Sequence, residues 1–244
     1  MQRLLALARI ARLLAHLLHG MAVMALRFPT LDEAGRQARI GWWSRGVLRA
    51  LGVGLRASGV PRPGATLLLA NHVSWLDIAA IHAVVPQARF VSKADVLAWP
   101  LLGWLIRGAG TLFIARERKR DALRVVHAVA EALRSGQTVA VFPEGTTGPG
   151  AVPLPFHANL LQAAIATSTP VQLVVLRFAD ARQRFSPAAA YVGDTSLLQS
   201  LWWLANARGL VVHLDLLAPQ GTAHADRRAL AEHLRQQVAD QLAG

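Results

Sequence analysis

The chain has no cysteine, a single tyrosine and only two lysines, Lys93 and Lys119. Without cysteine there is no disulfide framework, no thiolate zinc site and no thiol nucleophile. Acids are scarce as well: 14 Asp and Glu stand against 26 Lys and Arg, a formal charge of +12 carried almost entirely by arginine. No Gly-x-Ser-x-Gly segment occurs, which removes the nucleophile elbow of a serine hydrolase. The isoelectric point near 11.7 invites a nucleic-acid reading. That reading lacks its usual supports, since there is no recognition-helix or zinc spacing and no aromatic interleaving on a sheet.

What is present is apolar. Hydrophobic residues make up 53% of the 244, charged residues 16%, and the mean hydropathy is +0.34. This excludes a disordered chain and exceeds what one soluble core needs. The length suits one compact domain with a short appended segment.

Basic and apolar character coincide at the N-terminus. Residues 1–58 hold nine arginines against Asp32 and Glu33, a local excess of +7. At 100° per residue, Arg9, Arg12, His16 and His19 fall within an arc of about 80° on a helix. Leu7, Ile10, Leu14, Leu17, Leu18, Met21 and Met24 fall opposite. The longest uncharged stretch, Leu13 to Leu26, is short of the roughly 20 residues of a span. An amphipathic helix with a basic face, lying in a membrane interface, is the expectation; a signal peptide or short anchor, and an ordinary helix packed on the domain, are the competing readings. Phe28-Pro29 breaks it, and Thr30-Leu31-Asp32-Glu33 reads as the cap of a second helix. There Ile40, Trp43, Val47 and Leu51 line one side, with Arg45, Arg49 and Arg56 on the other. Trp42 and Trp43 suit a headgroup-level aromatic belt.

From Ala65 onward, apolar runs alternate with helical patterns. Strands are expected at Ala65–Ala70, Ala88–Val91, Thr111–Ala115, Thr138–Phe142, Val171–Phe178 and Leu210–Leu216. Helices are expected near 75–85, 94–108, 118–135, 157–168, 195–208 and 223–242. Runs such as Thr66-Leu-Leu-Leu-Ala70 do not alternate, as strands buried on both faces do not. The fold class is therefore α/β, a largely parallel sheet flanked by helices behind an N-terminal two-helix membrane-associating segment. Pro61-Arg62-Pro63-Gly64 reads as the linker, which divides the chain into residues 1–60 and 61–244.

Two strand exits carry chemistry. In Asn71-His72-Val73-Ser74-Trp75-Leu76-Asp77, the five-residue spacing lets the Asp77 carboxylate reach one imidazole nitrogen of His72. The other nitrogen is then free to take a proton from an alcohol. Ser74-x-x-Asp77 equally resembles a helix cap. Phe142-Pro143-Glu144-Gly145-Thr146 places a carboxylate at a second exit, where a plain turn would also fit.

These two motifs, with Gly110-Thr-Leu-Phe-Ile114-Ala-Arg116 between them and Thr169-Pro170-Val-Gln-Leu-Val-Val after them, resemble the glycerolipid acyltransferase family over roughly residues 60–220. Its bacterial archetype is 1-acylglycerol-3-phosphate acyltransferase. The resemblance implies that residues 61–244 are the acyltransferase domain and that His72 deprotonates the acceptor hydroxyl while Asp77 orients it. It further implies that Arg116 holds an acceptor phosphate, with Lys93 as a second cation. Glu144 would bind or position the acceptor, and Gly145 and Thr146 would shape the turn. Acyl-CoA or acyl carrier protein is the implied co-substrate, with no resident cofactor and no metal. The implied partners are membrane lipids and a lysolipid, with no nucleic acid, at the cytoplasmic face of a bacterial inner membrane. Two positions depart from the family pattern: Thr147 stands where an arginine is frequent, and Phe156-His157-Ala158-Asn159 stands for Phe-Lys-x-Gly. These departures leave room for another lysolipid acceptor, such as a lyso-ornithine lipid. Trp202 and Trp203 read as core or interface packing. His82, His127, His213, His224 and His233 read as structural or surface histidines. A thioesterase using the same His–Asp pair on water is the nearest rival activity.

Overall fold

The structure, a computed structural model, describes residues 2–93, 111–114 and 119–244. Seven strands form one sheet: β1 (Gly54–Ser58), β2 (Thr66–Ala70), β3 (Arg89–Lys93), β4 (Leu112–Ile114), β5 (Thr138–Val141), β6 (Val171–Ala179) and β7 (Val211–Leu216). Their order is β1-β7-β6-β2-β5-β3-β4. Every pairing is parallel except β6 with β7. The expected largely parallel sheet is what forms, and β2, β5 and β6 are buried almost throughout because helices cover both faces.

One layer contains α1 (Gln2–Leu26), α2 (Glu33–Leu51), α3 (Leu76–Val84) and α6 (Leu197–Asn206). It packs on Leu68, Ala70, Val174, Leu176, Val212 and Leu214. The other contains α4 (Lys119–Arg134), α5 (Leu161–Ala166) and α7 (Arg227–Ala243). It packs on the alternate residues Leu67, Leu69, Val139, Val141, Leu173 and Val175. Each such leucine is fully buried, contributing roughly 1.5–3 kcal/mol by transfer from water. The helix expected near 94–108 lies outside the described residues.

Residues 1–60 are not an appendage. Strand β1, unexpected from its Gly-Leu-Arg-Ala-Ser sequence, pairs with β7 as an edge of the sheet, so the sheet begins before the Pro61–Gly64 linker. Ala6, Leu13, Val47, Leu48 and Leu51 belong to the same apolar cluster as the sheet. The division at 60/61 therefore does not separate two cores. Arg56 likewise sits on β1 and not on the polar side of α2. Asp32 caps α2 as expected, its Oδ1 accepting from the Gly35 N–H at 2.9 Å.

The two N-terminal helices interlock through glycine notches. The Trp43 ring of α2 occupies the space a Cβ would need at Gly20, and the His16 ring of α1 does the same at Gly46. His16 Nε2 is also 2.9 Å from the Trp43 carbonyl, and the Trp42 ring lies against His16 and His19. This corrects two expectations. The tryptophan pair is half-buried packing between helices, not a headgroup belt. And the basic arc of α1 is not turned outward as a unit: His16 faces α2, and Arg9 donates to the carbonyls of Ala205 (2.9 Å) and Ala207 (2.6 Å). Those carbonyls end α6, where a helix presents its unpaired acceptors and partial negative charge. The outward side of α1 carries Leu4, Leu7, Leu14 and Leu18 instead.

Candidate active site

β2 ends at Ala70, and the chain must then leave the sheet without orphaning polar groups. Asn71, buried, solves this with its side chain: Nδ2 donates to the Leu176 carbonyl (2.9 Å) and Oδ1 accepts the Leu176 N–H (2.7 Å). The amide thus extends the β2–β6 ladder by one rung. His72 follows directly, pinned at the sheet edge.

The His72 Nδ1 lies 2.8 Å from Asp77 Oδ2. That same oxygen accepts the N–H groups of Val73 (2.7 Å) and Ser74 (2.9 Å). Asp77 is fully buried in the first turn of α3. The two sequence readings of Asp77 are therefore both realised in one carboxylate: it ties the turn to the helix start and orients the imidazole. Ser74 does not form the expected capping box; its Oγ accepts the Leu76 N–H at 3.3 Å. With an anion at Nδ1, the favoured tautomer puts the proton there and leaves the Nε2 lone pair free. Among the described residues nothing hydrogen-bonds Nε2, and the His72 side chain is 19% exposed. Phe142 stacks on the ring at 3.9 Å between centroids, fixing its plane.

Glu144 reaches the same histidine from β5. Its Oε1 accepts the His72 N–H (2.8 Å) and its Oε2 the Leu154 N–H (2.9 Å). Burial pushes its carboxyl above the ordinary range, opposed by those two bonds and by His72. Both oxygens are engaged by backbone, so the geometry makes Glu144 a brace for His72 in place of the expected acceptor ligand. Gly145 adopts φ +73°, and a Cβ there would meet the His157 ring at 3.1 Å. Thr146 is exposed on the turn. Gly148 donates to the His72 carbonyl at 2.7 Å, so the loop after β5 holds the loop after β2 from both sides.

Lys93 is the last residue of β3, paired with Ile114 of β4. Arg116 lies outside the described residues; in sequence it follows the end of β4 by two. Because β2, β5, β3 and β4 are parallel neighbours, their C-terminal ends share one edge of the sheet. His82 is structural, as expected: it is buried, bonded to the Ala88 carbonyl (2.9 Å) and pushed down to about 4 by desolvation. Sequence reasoning missed three contacts: the Asn71 bridge, the Phe142 stack and the bond from Trp75 Nε1 to Ser200 Oγ at 3.1 Å. Only the first had a signal, an amide at a strand end whose donor and acceptor match a ladder.

A buried carboxylate behind an imidazole, at the exit of a parallel sheet, defines a general-base centre on an α/β scaffold. The family model described as Acyltransferase matches residues 56–177, which contain all of these groups. The chain belongs to the acyltransferase family. It is 38% identical to a lyso-ornithine lipid O-acyltransferase of Pseudomonas aeruginosa, over 98% of this chain and 93% of that one. It is also 38% identical to a 1-acyl-sn-glycerol-3-phosphate acyltransferase of Neisseria meningitidis, over 80% of this chain and 76% of that one. Its fold is that of the crystal structure of the 1-acyl-sn-glycerophosphate acyltransferase PlsC from Thermotoga maritima. The TM-score there is 0.76 at 20% identity, over 100% of this chain and 97% of that chain.

Proposed function

We propose that this acyltransferase moves a fatty acyl group from an acyl thioester to the free hydroxyl of a lysolipid at a membrane surface. The observation that carries the reading is the 2.8 Å contact of His72 Nδ1 with buried Asp77, which leaves Nε2 as the base. Nε2 takes the hydroxyl proton as the acceptor oxygen attacks the thioester carbonyl. The tetrahedral intermediate collapses with cleavage of the carbon–sulfur bond, and the imidazolium returns its proton to the leaving thiolate. Asp77 stabilises the imidazolium between these steps. Balanced in this way, the reaction calls on no metal and no resident cofactor. Acyl-CoA or acyl carrier protein supplies the thioester.

The acceptor is proposed to be 1-acylglycerol-3-phosphate, its phosphate held by Arg116 and Lys93. Arg116 offers a planar fork to the phosphate oxygens. One feature favours a second reading, a lyso-ornithine lipid. Thr147, where the related enzymes frequently carry a cation, is neutral and donates to the Tyr191 carbonyl. The relative spanning nearly the whole chain is named for that acceptor.

Attachment to the cytoplasmic face of a bacterial inner membrane is supported by the apolar outward side of α1 and the +7 excess of residues 1–58. By length and composition α1 is also a candidate span. Its contacts, from Gln2 through Arg9 and His16 to Gly20, lay it along the domain, which supports a surface-lying helix over a span. The deciding experiment gives purified protein a labelled acyl donor and a panel of lysolipids, with products resolved by mass spectrometry. An acylated lysophosphatidate or ornithine lipid supports the reading. Free fatty acid released at the same rate with or without acceptor overturns it in favour of a thioesterase.

A further inference from the structure

Helix α6 has an unusual surface for a helix of a folded domain. Ser200, Leu204 and Ala205 face the core, and Ser196 caps its start in a reciprocal box with Gln199. Its outer side exposes Leu197, Leu198, Trp202 and Trp203, with Leu198 at 77%. Four large apolar side chains on ten residues are not explained by the domain's own core. Helix α1 packs against α6, and its outer side is likewise apolar, with Leu18 at 64% and Leu4 at 70% exposed.

The two helices are tied by polar bonds at one place. Arg9 reaches the carbonyls of Ala205 and Ala207, Gln2 donates to the Asn206 carbonyl, and Arg208 donates to Gln2. Their apolar surfaces therefore move together. The surrounding sequence is cationic: residues 1–31 contain Arg3, Arg9, Arg12 and Arg27 and no acid, and Arg208 follows α6 by two residues. An exposed apolar face on each of two clamped helices, in a segment rich in arginine, matches an anionic bilayer, with apolar chains below and phosphates above. Exposed tryptophans suit that boundary, having an apolar body and one N–H.

We propose that α6 is a second membrane-inserted element, coplanar with α1, and that it sets the depth of the active site. This rests on the membrane attachment proposed above for α1. Depth follows from the bond of Ser200 on α6 to Trp75, three residues from His72 in the same loop. With α6 at the level of the acyl chains, that loop lies at the headgroup boundary. A lysolipid hydroxyl then reaches Nε2 while its acyl chain stays in the bilayer.

The absence of cysteine makes the test direct, because any single introduced cysteine is the only labelling site. Four full-length variants, Leu14→Cys, Leu198→Cys, Trp202→Cys and Gln236→Cys, each carry an environment-sensitive fluorophore. They are mixed with phosphatidylethanolamine–phosphatidylglycerol vesicles with and without brominated acyl chains. The expected result is a blue shift and at least a twofold quenching at 14, 198 and 202, with none at 236 on α7. Water-like emission at 198 and 202 beside quenching at 14 overturns the role of α6 and leaves α1 on the membrane. No quenching at 14 overturns both. A blue shift at 198 that grows with protein concentration in the absence of vesicles assigns the patch to self-association and overturns the proposal. As a functional arm, Leu198→Asp lowers turnover of vesicle-borne lysolipid about tenfold more than turnover of a short-chain monomeric one. Equal effects on the two substrates count against it.

Discussion

The Glu144 carboxylate accepts the backbone N–H of His72 at 2.8 Å, which makes the two strand-exit motifs a single unit. The side chain of His72 is held by Asp77 from its own loop, and its main chain is held by Glu144 from another. A base fixed at both ends loses little orientation in the reaction, which is what positioned proton transfer requires.

The first expectation concerns Glu144. Glu144→Gln keeps an oxygen for one N–H but turns an NH2 group toward the other, leaving buried donors facing each other. The cost is about 1–3 kcal/mol. Thermal unfolding is expected to drop and kcat to fall, with little change in the acceptor KM. A raised acceptor KM at unchanged melting temperature would restore Glu144 to the role of substrate ligand.

For the base itself, His72→Ala is expected to reduce acyl transfer by about 10²–10⁴-fold while the protein stays folded. Asp77→Asn is expected to be impaired in rate and in stability together, because the same oxygen holds the imidazole and two backbone N–H groups. Stopped-flow or labelled-donor assays beside circular dichroism separate the two effects. Full activity in a folded His72→Ala protein refutes the mechanism.

Arg116 is expected to serve the acceptor and not the donor. Arg116→Ala should raise the acceptor KM while the donor KM changes little, and Arg116→Lys should restore only part of the loss, lacking the planar fork. The effect shrinks if the acceptor carries no phosphate. Comparing lysophosphatidate with lyso-ornithine lipid on this variant therefore also reports the headgroup.

His82 makes stability depend on pH in a stated direction. Its folded value, about 4, lies below the ordinary 6.5, so the unfolded chain binds more protons between those limits. Stability from this group is complete above pH 6.5 and is lost as pH falls toward 4, by about 3 kcal/mol in all. The difference in unfolding free energy between wild type and His82→Gln should narrow across that window. A constant difference from pH 7 to 4 excludes a neutral buried His82.

Much of this was legible in the sequence because it depends on local pattern. Apolar stretches bounded by turn residues marked six of the seven strands among the described residues, and those of β2, β5 and β6 do not alternate because both faces are covered. The His72–Asp77 pair was legible because five residues across a strand-to-helix turn bring the carboxylate within reach of the ring, but the same spacing fits a helix cap, and only the resemblance to the family chose between them. β1 was not legible. Gly-Leu-Arg-Ala-Ser has no period, and as an edge strand it is held by backbone bonds to β7, which side chains do not encode.

Tertiary structure alone decided which way α1 faces. Its sequence separates a basic arc from an apolar one, and both arcs can in principle face either water or the domain. The choice was made by α6, whose terminal carbonyls need donors that Arg9 supplies, and by Gly46, which leaves room for His16. The same reason applies to Glu144. Its sequence places a carboxylate at a strand exit, but only the neighbouring loops, carrying the His72 and Leu154 N–H groups, determine that it braces the base. Residue type states what a side chain can bond. Which partner it meets depends on segments far away in the chain, and that is set only when the sheet brings β2, β5 and β6 side by side.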